Sequence, residues 1–184
     1  TREQVRAIED IFSNFAKLLS LRVSDFVRTT CFFEVTFIEE LTFFEYTNSV
    51  QKSSLVGIFR VNQSDHNASV ELSYSAVESI INLILGGDGN CNQNIFSGYT
   101  EIEINLIKRV LNIFIQPMID VWKGFADIKL NLQRVENMGQ HIQIAAPSDI
   151  IAIVTLKAHI AENEGFINFC IPYFLIEPVL RNIA

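Results

Sequence analysis

The chain has 184 residues, 49% of them hydrophobic and 19% charged, enough for one domain with a substantial core and too apolar for a disordered chain. Its formal charge of −7, with no Lys/Arg-rich stretch, argues against nucleic acid, whose binding rests on clustered cations. Cys31, Cys91 and Cys170 have neither CxxC nor metal spacing, and an odd count cannot close a full disulfide set, so free thiols in a reducing cytoplasm are expected.

Residues 2–20 carry Val5, Ile8, Phe12, Phe15 and Leu19 three and four apart, one apolar stripe of a helix with charges over the remaining surface. Ser24 and Asp25 are expected to follow that helix. Thr30 to Phe37 then reads as a strand with Phe33, Val35 and Phe37 on one face. Glu39 to Val50 is ambiguous between coil and a short helix turning Leu41, Phe44 and Tyr46 inward. Leu55–Val61 and Ala68–Leu72 form a hairpin across the polar turn at Asn62–Asn67. A helix from about Ser75 to Leu85, capped by Ser73 or Ser75, stops at Gly86-Gly87.

Residues 86–99 read as a linker. Thr100-Glu-Ile-Glu103 has the spacing of a capping box and opens a second long helix to about Lys123, with Pro117 inside it to bend it. Strands are expected near 127–135, 149–160 and 166–171, then a helix from about Tyr173. No apolar run reaches the roughly 18–20 residues needed to cross a bilayer, and the chain opens on an amphipathic pattern rather than a signal peptide. It begins without Met and stops after Ala184, as an excised fragment would.

The two halves repeat at a spacing of 99 residues. Tyr74 and Glu78 fall on Tyr173 and Glu177; Val5, Ile8, Ile11, Phe12 and Phe15 fall on Ile104, Ile107, Val110, Leu111 and Phe114. Leu55, Gly57, Phe59 and Val61 fall on Val154, Leu156, Ala158 and Ile160. One register across three elements predicts a single domain, 1–184, of two like halves (about 1–90 and 100–184) packed about a pseudo-two-fold axis. The fold class expected is α+β, a duplicated α/β/α domain with a central, mainly antiparallel sheet flanked by long helices.

Chemistry is sparse. His66, His141 and His159 lie far apart, and none has a ligand partner at i, i+4. His66 reads as a solvated loop residue and His159 as a surface or interface residue of a strand. No nucleophile elbow, phosphate loop or dinucleotide fingerprint is present, and nothing basic stands near Cys91 to activate it. Catalytic residues, metal ligands and cofactors are therefore all assigned as none. Gly86-Gly87-Asp88-Gly89 stands out. One glycine is enough for a helix C-cap; three of the four make a bare, mobile loop that another protein could approach closely.

Leu85-Gly-Gly-Asp-Gly89 after a helix, Thr100-Glu-Ile-Glu103 opening a long helix, and Glu164-Gly-Phe-Ile-Asn-Phe-Cys-Ile-Pro-Tyr173 with Ile176-Glu-Pro178 resemble the middle domain of the flagellar motor switch protein FliM family. The resemblance covers essentially the whole chain. It implies the fold shared with the CheC, CheX and FliY proteins, and a non-enzymatic place in the rotor's cytoplasmic ring. There Gly86, Gly87, Asp88 and Gly89 would contact FliG, neighbouring FliM subunits would pack alongside, and in the full-length protein FliN and phosphorylated CheY would bind elsewhere. It implies a location at the cytoplasmic face of the inner membrane without insertion into it. The rival reading is a phosphatase acting on phosphorylated CheY, whose family carries Glu-x-x-Asn on the helix opening each half. Here the third residues after Glu9, Glu101 and Glu103 are Phe12, Ile104 and Leu106, and the sole match, Glu45-Tyr-Thr-Asn48, lies in the ambiguous link.

Overall fold

The computed structural model describes residues 2–91, 96–137 and 142–182. Its first helix, α1 (Arg2–Val27), outruns the expected end because Val23 and Val27 continue the buried stripe. Ser24 and Asp25 accordingly lie inside the helix. Ser20 and Ser24 use their hydroxyls to bind the next element: Ser20 Oγ accepts from Phe33 N at 2.9 Å, and Ser24 Oγ accepts from Cys31 N at 2.8 Å and donates to Cys31 O at 3.0 Å. Arg28, at φ 57°, reverses the chain.

Strand β1 (Cys31–Thr42) is longer than expected and carries a bulge between Val35 and Phe37. The extra residue inverts the alternation, so Phe37, expected beside Phe33 and Val35, lies on the opposite face and is 68% exposed. The ambiguous stretch resolves into the end of β1 and a helix, α2 (Phe43–Ser49), started by a capping box between Thr42 and Glu45. Its inward residues are Phe43 and Tyr46; Phe44, expected inward, is 60% exposed.

Strands β2 (Leu55–Val61) and β3 (Asn67–Leu72) form the expected hairpin, followed by α3 (Tyr74–Ile84). The second long helix is two helices, α4 (Glu101–Ile113) and α5 (Ile115–Trp122), meeting at Phe114. Pro117 causes the break: it has no N–H to offer the Ile113 carbonyl, and Phe114 N turns back to Leu111 O at 3.1 Å. Then come β4 (Leu130–Glu136), β5 (Ile150–Ile160), β6 (Asn163–Pro172) and α6 (Tyr173–Leu180).

The six strands form one antiparallel sheet in the order β1-β5-β6-β3-β2-β4. Exchanging the halves swaps β1 with β4, β5 with β2 and β6 with β3, and the order reads the same backwards. The axis lies between β3 and β6, where Val70 pairs with Phe169, its own counterpart 99 positions on. Outer pairings repeat too: Cys31 opposite Ile160 matches Leu130 opposite Val61, and the edge strands β1 and β4 each carry one bulge. The hairpins differ. Five residues, 62–66, separate β2 from β3, whereas Ala161 and Glu162 alone join β5 to β6.

Helices α1, α3, α4, α5 and α6 all pack into the larger core on one sheet face. Its helical positions obey the repeat residue by residue: Ile8, Ile11, Phe12, Phe15, Leu19 and Val23 are buried, as are Ile107, Val110, Leu111, Phe114, Met118 and Trp122. The opposite face is covered over a smaller area, by α2 and by Ile142 and Ile144 packed on Val56, Ile58, Ile151 and Ile153. Among the described residues, no helix is long and apolar enough to cross a membrane.

Candidate partner-binding loop

The glycine segment is the exit of α3, and α3 is firmly mounted. Ala76, Val77, Ile80, Ile81 and Leu83 are buried beneath it. Ser73 caps its start and also accepts from Phe166 N at 3.0 Å, tying the first turn to β6. At the other end, Gly86 N donates to Leu83 O at 3.1 Å and Gly87 N to Asn82 O at 2.8 Å, with Gly86 at φ 94°. That pair of bonds is a Schellman stop, and the left-handed Gly86 is what lets the chain make it.

The four predicted contact residues do not share one environment. Gly86, Gly87 and Asp88 are exposed, as is Leu85 beside them at 71%. No described residue donates to the carbonyls of Gly86, Gly87 or Asp88. Gly89, by contrast, is buried at φ 89°, and both of its backbone groups are taken. Its N–H donates to Asn82 Oδ1 at 2.7 Å, and its carbonyl accepts from Asn163 Nδ2. A Cβ on Gly89 would stand 2.9 Å from Ala161 Cβ; one on Gly87 would stand 2.2 Å from Asn82 Oδ1. The loop is therefore anchored where the sequence suggested mobility. The Asp88 carboxylate is turned onto its own loop, accepting from Asn90 N at 3.0 Å and Asn90 Nδ2 at 2.7 Å. Residues 92–95 of the expected linker lie outside the described residues.

The opposite end of α3, at Tyr74, is acidic and aromatic. Tyr74, Phe96 and Tyr99 form a ring cluster, and Tyr99 Oη donates to Ser53 O at 2.6 Å. Burial, then the negative charge of Glu103, raises the Glu78 carboxyl above its usual range. Burial followed by Glu78 raises the half-buried Cys91 thiol, the opposite of nucleophile activation.

The other candidates do not converge on this loop or on each other. His66 lies against Phe174 at 4.7 Å between ring centres. His159 sits on the open sheet face, with Glu34 at 3.2 Å, Glu164 at 3.6 Å and the Phe32 ring beside it. His141 lies outside the described residues. Glu45, the acid of the lone Glu-x-x-Asn, accepts from Thr42 N at 3.1 Å as a helix cap, and that bond holds its carboxyl below the usual range. Among the described residues, no three His, Cys, Asp or Glu side chains are grouped to hold a metal ion.

Two features escaped the sequence reading. Glu71 is buried on the sheet axis, accepting from Ser54 Oγ at 2.8 Å and Asn168 Nδ2 at 3.1 Å, and burial raises its pKa. The clue was an acid inside the otherwise apolar alternation of β3. An apolar cavity of about 100 Å³ also opens between α5, α6 and the sheet, lined by Phe59, Ala68, Ile115, Leu130 and Leu175 among others. The matching positions in the other half, Ala158, Ile167, Ala16, Cys31 and Ala76, are fully buried. At four of these five positions the sealed half carries the smaller side chain, which lets its helix lie closer to the sheet; Ala68 against Ile167 is the reverse.

Comparison with known proteins gives the family and the fold. The model of the family "Flagellar motor switch protein FliM" matches residues 1–184. The chain is 29% identical over 184 residues to the FliM of Thermotoga maritima, covering 100% of this chain and 55% of that protein. It is 28% identical to the FliM of Treponema pallidum, covering 100% and 53%. It thus spans about half the length of the curated relatives it matches. Among solved structures it resembles a chain from the crystal structure of the FliG–FliM complex from H. pylori, with a TM-score of 0.92, 24% identity, and coverage of 98% of this chain and 99% of that one.

Proposed function

Because the chain belongs to the flagellar motor switch protein FliM family, we propose that it is a non-enzymatic scaffold and switch element of the flagellar rotor that docks FliG through the turn after α3. The single observation that carries this is the turn itself: Leu85, Gly86, Gly87 and Asp88 are exposed at the end of a helix whose whole inner face is buried. The FliG–FliM complex among the structural relatives supports the choice of partner. Gly89 serves as the anchor of the contact and not its surface. Neighbouring FliM subunits pack against this domain, and the full-length protein binds FliN and phosphorylated CheY through other segments at the cytoplasmic face of the inner membrane. The chain is one middle domain of two repeats, about 1–90 and 100–184; the palindromic sheet and matched burial of the long helices support that division.

The test avoids the glycines, because Gly86 needs its positive φ and Gly87 lies against Asn82. Leu85→Glu alters only an exposed side chain, and Asp88→Arg reverses an exposed charge while also removing the two bonds its carboxylate accepts from Asn90. Each is expected to weaken FliG binding about tenfold or more by calorimetry while thermal unfolding stays within a degree or two. Unchanged affinity in both would reject the loop assignment.

The phosphatase reading lacks its machinery. The residues three past Glu9, Glu101 and Glu103 are Phe12, Ile104 and Leu106, of which Phe12 is buried in the core, and Glu45 is committed to the cap of α2. Incubation with phosphorylated CheY is expected to leave its rate of phosphate loss unchanged.

A further inference from the structure

We propose that Asn82 and Asn163 act as positioning residues, a two-sided amide clamp that presets the Gly86–Gly89 turn before a partner arrives. The proposal rests on the loop reading above and adds to it two residues that act through the backbone of Gly89. Asn82 leaves the last turns of α3 and accepts the Gly89 N–H at 2.7 Å. Asn163 opens β6, 74 positions further along, and donates Nδ2 to the Gly89 carbonyl. One clamp arm comes from each half, so the turn is fixed with respect to both.

The glycines are fitted to the clamp. The Asn82 side chain passes so close beneath Gly87 that any Cβ there would collide with its amide, within 2.2–2.8 Å of three of its atoms. Gly87 is therefore glycine so that Asn82 can reach Gly89. Gly89 is glycine because it is left-handed and pressed toward Ala161 and Leu83. Only Gly86, with nothing within 4 Å of its missing Cβ, is free of neighbours and constrained by φ alone.

A loop held in its binding conformation loses less freedom on docking, which is where such a clamp acts on affinity. It has a distinctive chemical signature, because the two asparagines play opposite roles. Asn82 is an acceptor and Asn163 a donor, each role fixed by its backbone partner. Asn82→Asp keeps an acceptor oxygen; Asn163→Asp sets a carboxylate against a carbonyl. The same substitution is thus tolerated at one position and disruptive at the other.

The experiment measures Gly89 amide exchange by NMR and FliG affinity by calorimetry at pH 7.5, for Asn82→Asp, Asn82→Leu, Asn163→Asp and the contact control Leu85→Glu. Asn163→Asp and Asn82→Leu are expected to speed Gly89 exchange and weaken FliG binding by roughly five- to tenfold, while Asn82→Asp stays near the parent in both. Unchanged Gly89 exchange in Asn163→Asp and Asn82→Leu would overturn the clamp. Faster exchange with unchanged affinity, while Leu85→Glu still weakens binding, would overturn its part in docking and leave the loop reading standing. If Leu85→Glu too leaves affinity unchanged, the loop reading itself fails.

Discussion

Replacing Glu71 by glutamine is expected to stabilise the protein at neutral and alkaline pH, and replacing it by alanine to destabilise it throughout. The carboxyl is 2% exposed, and its side-chain partners, the Ser54 hydroxyl and the Asn168 amide, are both neutral. No cation is among the groups that set its pKa, which burial raises above the ordinary carboxylate value. A carboxyl whose folded pKa is raised favours the folded state fully below its unfolded pKa; that contribution is lost as pH rises through the folded pKa. Wild type therefore carries a growing penalty above about pH 4.5, which glutamine does not share. The amide keeps a carbonyl for Asn168 and presents a donor to the Ser54 hydroxyl, which can rotate to accept it. Alanine removes the acceptors and leaves two side-chain donors, the buried Ser54 hydroxyl and the part-buried Asn168 amide, without them, and it also loses the Gln51 backbone bond. At about 1–3 kcal/mol each, the loss comes to roughly 2–6 kcal/mol before any void is counted. Urea unfolding of the three proteins at pH 5 and pH 8 measures this. The glutamine variant should gain on wild type between the two pH values. Parallel pH dependences for glutamine and wild type, or a glutamine variant as weak as alanine, would refute the reasoning.

Phe15→Ala, at a fully buried position of α1, should cost about 3–5 kcal/mol in urea unfolding, whereas Leu21→Ala, 69% exposed on the same helix, should stay within about 0.5 kcal/mol. Thiol labelling of the folded protein at pH 7.5 should modify Cys91 alone, since Cys31 is buried with its thiol pushed up to about 11 and burial raises Cys170 further; all three should react in denaturant. Thr100→Ala should cost about 1 kcal/mol, because the Thr100 hydroxyl caps α4 through Glu103 N. Pro117→Ala restores a donor for the Ile113 carbonyl and should join α4 to α5, seen as increased helical circular dichroism.

The long helices were the most legible part of the sequence. Their stripes are local, and the 99-residue repeat sampled each one twice, so Ile8 to Phe15 and Ile107 to Phe114 supported each other. The bulge in β1 was not legible: nothing in Val35-Thr-Phe37 marks an unpaired residue, and it is pairing with β5 that leaves Thr36 out. The cap of α2 was present as Thr42-Phe-Phe-Glu45 and was missed because the stretch around it is apolar on both sides. The loop shows the same division. Its glycines were visible, and so was a C-cap, since both depend on α3 alone. Its anchorage was not, because Asn163 is 74 positions from Gly89 and reaches it only after the two halves have paired.

That anchorage ties the turn to the rest of the domain. Motion at the turn after α3 cannot be absorbed by the turn, because Schellman bonds tie it to α3 and Asn163 ties it to the start of β6. From β6 the route continues through its pairing with β5 to β1, and from β1 to α1 through the Ser20 and Ser24 hydroxyls. Every link is a close-packed or hydrogen-bonded contact, and such interiors transmit displacement rather than dissipate it. Displacement of Leu85–Asp88 would therefore be passed to α3 and to the start of β6 rather than taken up within the turn. The two halves differ in the break between α4 and α5 at Phe114, in the length of their hairpins, and around the cavity between α5 and α6, where four of five lining side chains compared are larger than their counterparts.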